Sequence, residues 1–559
     1  MQHRVSLPII RAANKMDTPT NTNRPVRGVW YGTVLPVAGL LVLPVCYVAA
    51  GVFLRAGAGP FWQWNLLDPA YWYLLDSLNL ITGAPPGHML HPGVTVHAIG
   101  AAVIGLATWG GGAAESVKTV LDEPEHYLRL LSSAYLMIAA LVLWGLGMAA
   151  RRAFGSYLSA LACQCAPFMS SLVLKHGFLP KPEALLVSVT LALTALSILM
   201  LRDGLSVSER RRYVIAFGIV AGFGLATKVT AAPIFVLPVL LFPNVRTAIL
   251  YALAGLIAFG LFMLPGIGAI DLFIDWMAHV AMAAGPHGAG AQTIIDPDAY
   301  PAAVLKILKR PALKVPLILA ALTGVVVWVR RRGGLALPMM EVRGLAAISA
   351  AQILQILLVA KQPTAFYLIP SYMLAAPSIL LSARLIWASR SAGWRLPVSG
   401  SVIGMLILAG FTVAQFNAVL KLDRHFKNTK LAARSVDDAR FKQCARVFIY
   451  AASDQSLAFY LADRVTGYRF SADFKRRFPP NNYWVDDWYD QTRFELRNWD
   501  GRQDFQKVVA AYPCVYLRGT RLDGFLKSEA PDMSFDRRCS AGIEAVATLN
   551  IDCREGMRK

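Results

Sequence analysis

Apolar runs long enough to cross a lipid bilayer recur along the first 420 positions of this 559-residue chain. A crossing helix needs about 20 predominantly apolar residues, and lipid admits few other backbone structures. The chain is therefore expected to be a polytopic α-helical membrane protein. The pattern predicts eleven spans, at residues 30–54, 128–150, 155–174, 183–201, 213–227, 229–242, 246–265, 311–329, 341–360, 364–385 and 397–420.

Arginine clusters separate these runs and recur after every second predicted span. Examples are Arg151–Arg152, Arg210–Arg212 and Arg330–Arg332. Because cytoplasmic loops carry the excess of arginine and lysine, the N-terminus and these clusters are assigned to the cytoplasmic side. The formal net charge of +21 then reflects membrane topology and does not indicate a nucleic-acid partner.

The segment 92–110 is also apolar, but counting it as a span would place every later arginine cluster outside. We interpret it as a re-entrant or interfacial helix, with further surface helices expected at 70–83 and 119–127. Residues 55–127 then form one large loop on the outer side of the membrane.

The composition becomes more polar from about residue 421. Strands are predicted at 445–450 and 513–517 with a helix at 454–463, which indicates a small α/β domain with a partly parallel sheet. The expected division is a basic cytoplasmic N-terminus (1–29), a transmembrane domain (30–420) and this outer domain (421–559). This region contains Cys444, Cys514, Cys539 and Cys553. In an oxidising compartment these four could form two disulfides, and three pairings are open.

Lysines in short outer turns are the first candidates for chemistry. Lys181, Lys228 and Lys361 lie on the side that the topology rule disfavours, and Glu183 lies beside the first of them. Such lysines suit a phosphate group at the lipid interface. The alternative is that each lysine snorkels to anchor a helix end.

The outer loop adds carboxylates and imidazoles beside the bilayer, where such groups are costly. Asp68 could cap the following helix or act as a base that deprotonates a hydroxyl, and the two roles are compatible. His88 and His91 are interpreted as substrate contacts or turn-forming residues. Two histidines three positions apart do not define a metal site, so no metal ligands are assigned.

Five stretches, taken in chain order, resemble motifs of the GT-C-fold glycosyltransferases. These membrane enzymes take sugars from polyprenyl-phosphate donors and include protein mannosyltransferases and lipid A aminoarabinose transferases. The chain has Asp-Pro where the commoner first-loop motif has Asp-Glu. The stretches are Asp68–Tyr71 with Asp76 and Gly87–Thr95, Lys181–Leu186, Gly224–Ala231, His287–Gly290, and Lys361 with Tyr367–Pro370.

The resemblance implies a GT-C-like fold over residues 30–385, with Asp68 as the catalytic carboxylate and Glu183 in a second acidic position. Lys228 and Lys361 would bind the donor phosphate. The remaining expected substrate contacts are Asp76, His88, His91, Lys181, His287 and Tyr367.

The expected activity is transfer of a sugar from a polyprenyl-phosphate donor to a hydroxyl of a glycan, lipid or protein. It would occur at the periplasmic face of a bacterial inner membrane, without a cofactor. The alternatives are a transporter or flippase of lipid-linked saccharides, which would place charges mid-span and show repeat symmetry, and an oligosaccharide ligase or polymerase.

Overall fold

The computed structural model describes residues 38–63, 70–288, 290–390, 399–436, 438–485 and 494–553. The predicted catalytic residue Asp68 and the N-terminal segment 1–29 lie outside these ranges. The α-helices, numbered along the chain, are α1 Val42–Ala58, α2 Ala70–Ile81, α3 Val94–Ala107, α4 Ala113–Asp122, α5 Pro124–Phe154, α6 Tyr157–Gln164, α7 Ser171–Gly177, α8 Pro182–Met200, α9 Val207–Thr227, α10 Leu237–Leu241, α11 Val245–Met263, α12 Ile270–Met282, α13 Ala299–Leu308, α14 Pro311–Arg332, α15 Met339–Lys361, α16 Ile369–Met373, α17 Ala375–Ala388, α18 Gly400–Ala433, α19 Gln455–Val465, α20 Ser471–Arg477, α21 Phe505–Ala511 and α22 Leu522–Glu529.

Among the described residues, seven helical stretches are long and apolar enough to cross a membrane. The polytopic helical architecture predicted from the apolar runs is therefore confirmed. The stretches are Pro124–Phe154, Pro182–Met200, Val245–Met282, Pro311–Arg332, Met339–Lys361, Ala365–Ala388 and Gly400–Ala433.

Other predicted spans correspond to shorter or broken helices. The run 155–174 divides into α6, a 3₁₀ turn at Ala166–Met169 and the start of α7. The run 229–242 begins as a 3₁₀ helix, Val229–Val236, that contains Pro233 and continues as α10. Proline lacks the amide hydrogen that a continuous α-helix needs. Pro167 in the first run and Pro233 in the second therefore account for the two interruptions.

Two groups of helix ends contain different kinds of charge. At the first group, called the arginine end, Arg384 near the end of α17 pairs with Glu341 near the start of α15 at 2.6 Å. At the second group, called the lysine end, Lys228 after the end of α9 pairs with Glu183 at the start of α8. Helices α8 and α9 thus share the lysine end, and α15 and α17 share the arginine end.

The outer loop differs from its prediction in one place. Helix α4 ends at Asp122 and α5 begins at Pro124, so the single helix predicted at 119–127 is wrong. Proline is favoured at the first position of a helix because its missing amide is not needed there. Helix α3 has 14 residues, a length that fits a re-entrant or interfacial helix better than a crossing one.

The C-terminal region forms the predicted α/β domain around a seven-stranded sheet. The strand order is β4-β3-β2-β1-β5-β7-β6, and the central strand β1 is parallel to both β2 and β5. The cysteines pair as Cys444–Cys514 and Cys539–Cys553, which selects one of the three pairings left open. The strands are β1 Ala445–Ile449, β2 Asn482–Val485, β3 Leu496–Asn498, β4 Gly501–Arg502, β5 Val515–Gly519, β6 Ser540–Ala541 and β7 Glu544–Leu549.

This domain packs directly on the outer loop. The ring of Phe459 on α19 meets Tyr71 on α2 edge-on, with 4.9 Å between centroids. The side chain of Asn79 donates a hydrogen bond to the backbone oxygen of Thr466 at 3.1 Å. Helix α18 runs through the predicted boundary at 420/421, so one continuous helix connects the membrane region to the sheet.

Candidate active site

The candidate site is built around Lys228, the residue that ends α9. Its extended backbone forms an isolated antiparallel bridge with Pro92 of the outer loop. The neighbouring Thr227 hydroxyl lies 2.7 Å from the hydroxyl of Thr95 on α3, and Val229 donates its amide to the oxygen of His91 at 3.1 Å. The outer loop therefore fixes where this lysine emerges from its helix.

The ammonium group of Lys228 donates to the carboxylate of Glu183 at 2.5 Å. Both side chains are almost fully buried, and so is Lys181, which precedes Glu183 by two positions. Glu183 lies in the first turn of α8, where the helix dipole stabilises a negative charge. Burial of two charges is costly unless they are closely paired, and this geometry provides the pairing.

Two aromatic rings lie against these lysines. The Lys228 nitrogen is 4.6 Å from the ring centroid of Tyr367 and 5.4 Å from that of Phe366, and the Lys181 nitrogen is 4.9 Å from the Phe366 centroid. Gln355 donates hydrogen bonds to the backbone oxygens of Tyr367 and Thr230. The rings are thus held in place by α15 and stabilise the cations through their π faces.

The cluster has more positive than negative charge. Two ammonium groups, those of Lys181 and Lys228, face the single carboxylate of Glu183. Burial lowers the pKa of Lys175, and the Lys181 charge lowers it further. The pKa of His176, whose ring is 5.1 Å from that of Phe366, lies well below its usual range because of burial and the nearby lysines. The excess charge suits an anion.

A second buried cluster lies in the outer loop next to the first. The Asp76 carboxylate accepts hydrogen bonds from the amides of Gly87 and His88 and from the side chain of Asn79, at 2.7–2.9 Å. His97 Nε2 lies 3.6 Å from Asp76 Oδ2. Burial raises the pKa of Asp76 to about 7 and lowers that of His88 to about 3.

His91 connects the two clusters. Its Nε2 is 3.3 Å from the Tyr73 hydroxyl, and its ring centroid is 5.1 Å from that of His88. Burial lowers its pKa, and the charges of Lys228 and His287 lower it further. His287 itself is exposed and lies in the loop after α12, with its ring centroid 6.5 Å from that of Trp276.

The structure thus brings together most of the residues singled out in the sequence: Glu183, Lys181, Lys228 and Tyr367 in one cluster, with Asp76, His88 and His91 beside it. Lys361 has a different contact, because its ammonium donates to the backbone oxygen of Ala281 at 2.6 Å. Asp68 cannot be placed, since it lies outside the described residues.

Two contributors were not among the site residues predicted from sequence. Phe366 precedes Tyr367 and packs against both lysines; an aromatic pair beside an outer turn was its only signal. His97 lies on an apolar helix and is fully buried. A single histidine in an apolar run gives no periodic signal, so only the structure shows that His97 lies beside Asp76.

Fold and site together define a helical membrane protein with a buried lysine cluster at one group of helix ends and a disulfide-bonded α/β domain packed on its first loop. No protein-family model and no curated protein matches the chain. One similar solved structure is the crystal structure of ArnT from Cupriavidus metallidurans bound to undecaprenyl phosphate, with 14% sequence identity. The match covers 94% of this chain and 99% of the ArnT chain, with a TM-score of 0.44.

Proposed function

We propose that this chain is a membrane glycosyltransferase that moves a sugar from a polyprenyl-phosphate donor to a hydroxyl acceptor. The observation that carries the proposal is the excess positive charge buried at the lysine end. Lys181 and Lys228 are 6% and 3% exposed. Among the described ion pairs, Glu183 pairs with Lys228 and no carboxylate pairs with Lys181. Uncompensated buried charge is unfavourable, so a phosphate in this place would stabilise the cluster.

In the proposed reaction, the bond between the sugar carbon C1 and the phosphate oxygen breaks as a bond from C1 to the acceptor oxygen forms. The negative charge that develops on the leaving phosphate is stabilised by Lys228 and Lys181. Asp68 takes the proton of the acceptor hydroxyl, and attack opposite the leaving group inverts the configuration at C1. Glu183 holds Lys228 in position.

The remaining predicted contacts have supporting roles in this proposal. Tyr367 limits the space beside Lys228. His287 lies in the loop that follows α12, and Lys361 is the last residue of α15. The acceptor is a hydroxyl of a glycan, lipid or protein, and no cofactor takes part in the transfer.

The proposed location is the inner membrane, with the N-terminus cytoplasmic and the C-terminal domain periplasmic. The separation of arginine ends from lysine ends supports this orientation. The disulfides Cys444–Cys514 and Cys539–Cys553 also support it, because disulfides persist in oxidising compartments.

The direct test is binding of a polyprenyl phosphate to the full-length protein in detergent, measured as a rise in melting temperature. The matching polyprenol, which lacks phosphate, is the ligand control. We expect the phosphate to stabilise the wild type and the polyprenol to have little effect. Lys181→Ala should weaken binding by roughly tenfold to a hundredfold, since a charge-assisted contact contributes about 1.5–3 kcal/mol. The matched control is Lys118→Ala, at an exposed lysine of α4.

Equal stabilisation by the phosphate and the alcohol would contradict the proposed site. Activity is then measured as transfer of labelled sugar in proteoliposomes. Movement of an intact lipid-linked sugar across the bilayer without cleavage would favour a transporter or flippase. Transfer of whole oligosaccharides from lipid-linked donors would favour a ligase or polymerase.

A further inference from the structure

We propose that Asp76, His88 and His97 form a binding site for a divalent transition-metal ion inside the outer loop. Each side chain presents one potential ligand atom, and these three atoms lie within 4.8 Å of one another. All three side chains are almost fully buried. The site is separate from the lysine cluster and does not depend on the proposed transfer reaction.

The spacing of the ligand atoms is close to that around a coordinated ion. Zinc binds nitrogen and oxygen ligands at about 2.0–2.2 Å, so two ligands of a tetrahedral site are about 3.4 Å apart. The 3.6 Å between His97 Nε2 and Asp76 Oδ2 is near this value, whereas it is too long for a good hydrogen bond. The ligand atom of His88 lies within 4.8 Å of the other two.

Three ring nitrogens of the two histidines lack a hydrogen-bond partner among the described residues. Among the described residues, neither ring nitrogen of His97 accepts or donates a hydrogen bond, and the same holds for Nδ1 of His88. Buried polar atoms are normally satisfied, and each exception needs an explanation. A bound cation would engage a nitrogen of each ring.

Asp76 has the surroundings of a metal ligand. Its oxygens are fixed by the amides of Gly87 and His88 and by Asn79, as ligating carboxylates usually are. Metals bind the neutral form of an imidazole, and a nearby cation would keep the Asp76 carboxylate ionised. Two imidazoles and one carboxylate suit zinc or a similar ion better than magnesium or calcium.

An ion here would join three parts of the outer loop: α2, the turn at 87–88 and α3. Asn79 extends the connection, because the same amide group that donates to Asp76 also donates to Thr466 of the C-terminal domain. The proposed role is structural. It reassigns Asp76 and His88 from the substrate contacts predicted in the sequence.

The test is the metal content of the full-length protein purified from zinc-supplemented cells, measured by elemental mass spectrometry after desalting. We expect stoichiometric zinc and a drop in melting temperature after chelation that zinc chloride reverses. His97→Ala and Asp76→Asn should lose most of the zinc. His126→Ala, at an exposed histidine that begins α5, should retain it.

Should the variants fail to fold, cobalt-loaded wild-type protein provides a second measurement. Visible ligand-field absorption typical of nitrogen and oxygen ligands, displaced by zinc, would support the site. Absence of metal from the wild type under both conditions would overturn the proposal, and so would full retention by a folded His97→Ala variant. Sugar transfer is not the readout, so failure of the proposed enzyme activity leaves this result interpretable.

Discussion

Two buried polar clusters lie side by side in the molecule, and their charges are opposite in kind. The Lys228 cluster has two ammonium groups and one carboxylate, whereas the Asp76 cluster has one carboxylate among neutral imidazoles. The bridge between Pro92 and Lys228 joins them. One cluster therefore favours an anion and the other favours a cation.

The clusters also differ in how they are held. Lys228 and Glu183 come from the ends of two long helices, α9 and α8. Asp76 and its partners belong to the outer loop, and Asn79 connects them to the C-terminal domain. Changes in that domain should consequently disturb the Asp76 cluster more than the lysine cluster.

The largest expected effect is that of Lys228→Met, which removes the direct ion-pair partner of the buried Glu183 carboxylate. Removal of one member of a buried ion pair costs about 3–5 kcal/mol, so the free energy of unfolding should fall by that amount. Chemical denaturation in detergent measures it. The double variant Lys228→Met/Glu183→Gln should recover much of the stability but still fail to bind polyprenyl phosphate. Equal losses in the single and double variants would contradict the pairing.

Gly87→Ala should separate the C-terminal domain from the Asp76 cluster. A methyl group at Gly87 would lie 2.5 Å from the backbone carbon of Thr466, and overpacking of this kind costs about 1–3 kcal/mol. Limited proteolysis of the C-terminal domain should become faster. The control is Gly105→Ala on α3, where no atom lies within 4 Å of the added group. Unchanged proteolysis of Gly87→Ala would show that the contact does not hold the domains together.

Much of the helical framework could be predicted because long apolar runs and arginine clusters are local signals. Lys228 and Glu183 could be proposed because each lies at a helix end on the side that the arginine pattern predicts to be the outer one. The place of His97 could not be predicted, since 21 positions separate it from Asp76 and only packing of α3 against α2 joins them. The wrong helix at 119–127 had a usable signal, because Pro124 marks a helix start.

Asn79→Ala should weaken the Asp76 cluster and leave the lysine cluster intact. The change removes hydrogen bonds to Asp76 and Thr466, with an expected loss of about 1–2 kcal/mol in the free energy of unfolding. Zinc retention should fall, whereas the melting-temperature rise caused by polyprenyl phosphate should persist. Loss of lipid-phosphate binding with zinc retained would reverse the assignment of the two clusters.

The smallest expected effect is that of Thr95→Val, which tests the link between the clusters. Thr227 uses its hydroxyl hydrogen to bond the backbone oxygen of Phe223 at 2.8 Å, so Thr95 is the donor in the 2.7 Å contact between the two hydroxyls. Valine keeps the shape but removes this donor, at a cost of about 1 kcal/mol. The control is Thr119→Val, at a half-buried threonine of α4 whose hydroxyl donates to the backbone oxygen of Glu115 in the same helix. If the two clusters are linked through this contact, Thr95→Val combined with Lys228→Met should cost less than the sum of the single changes. Strict additivity would mean that the clusters are neighbours without energetic coupling.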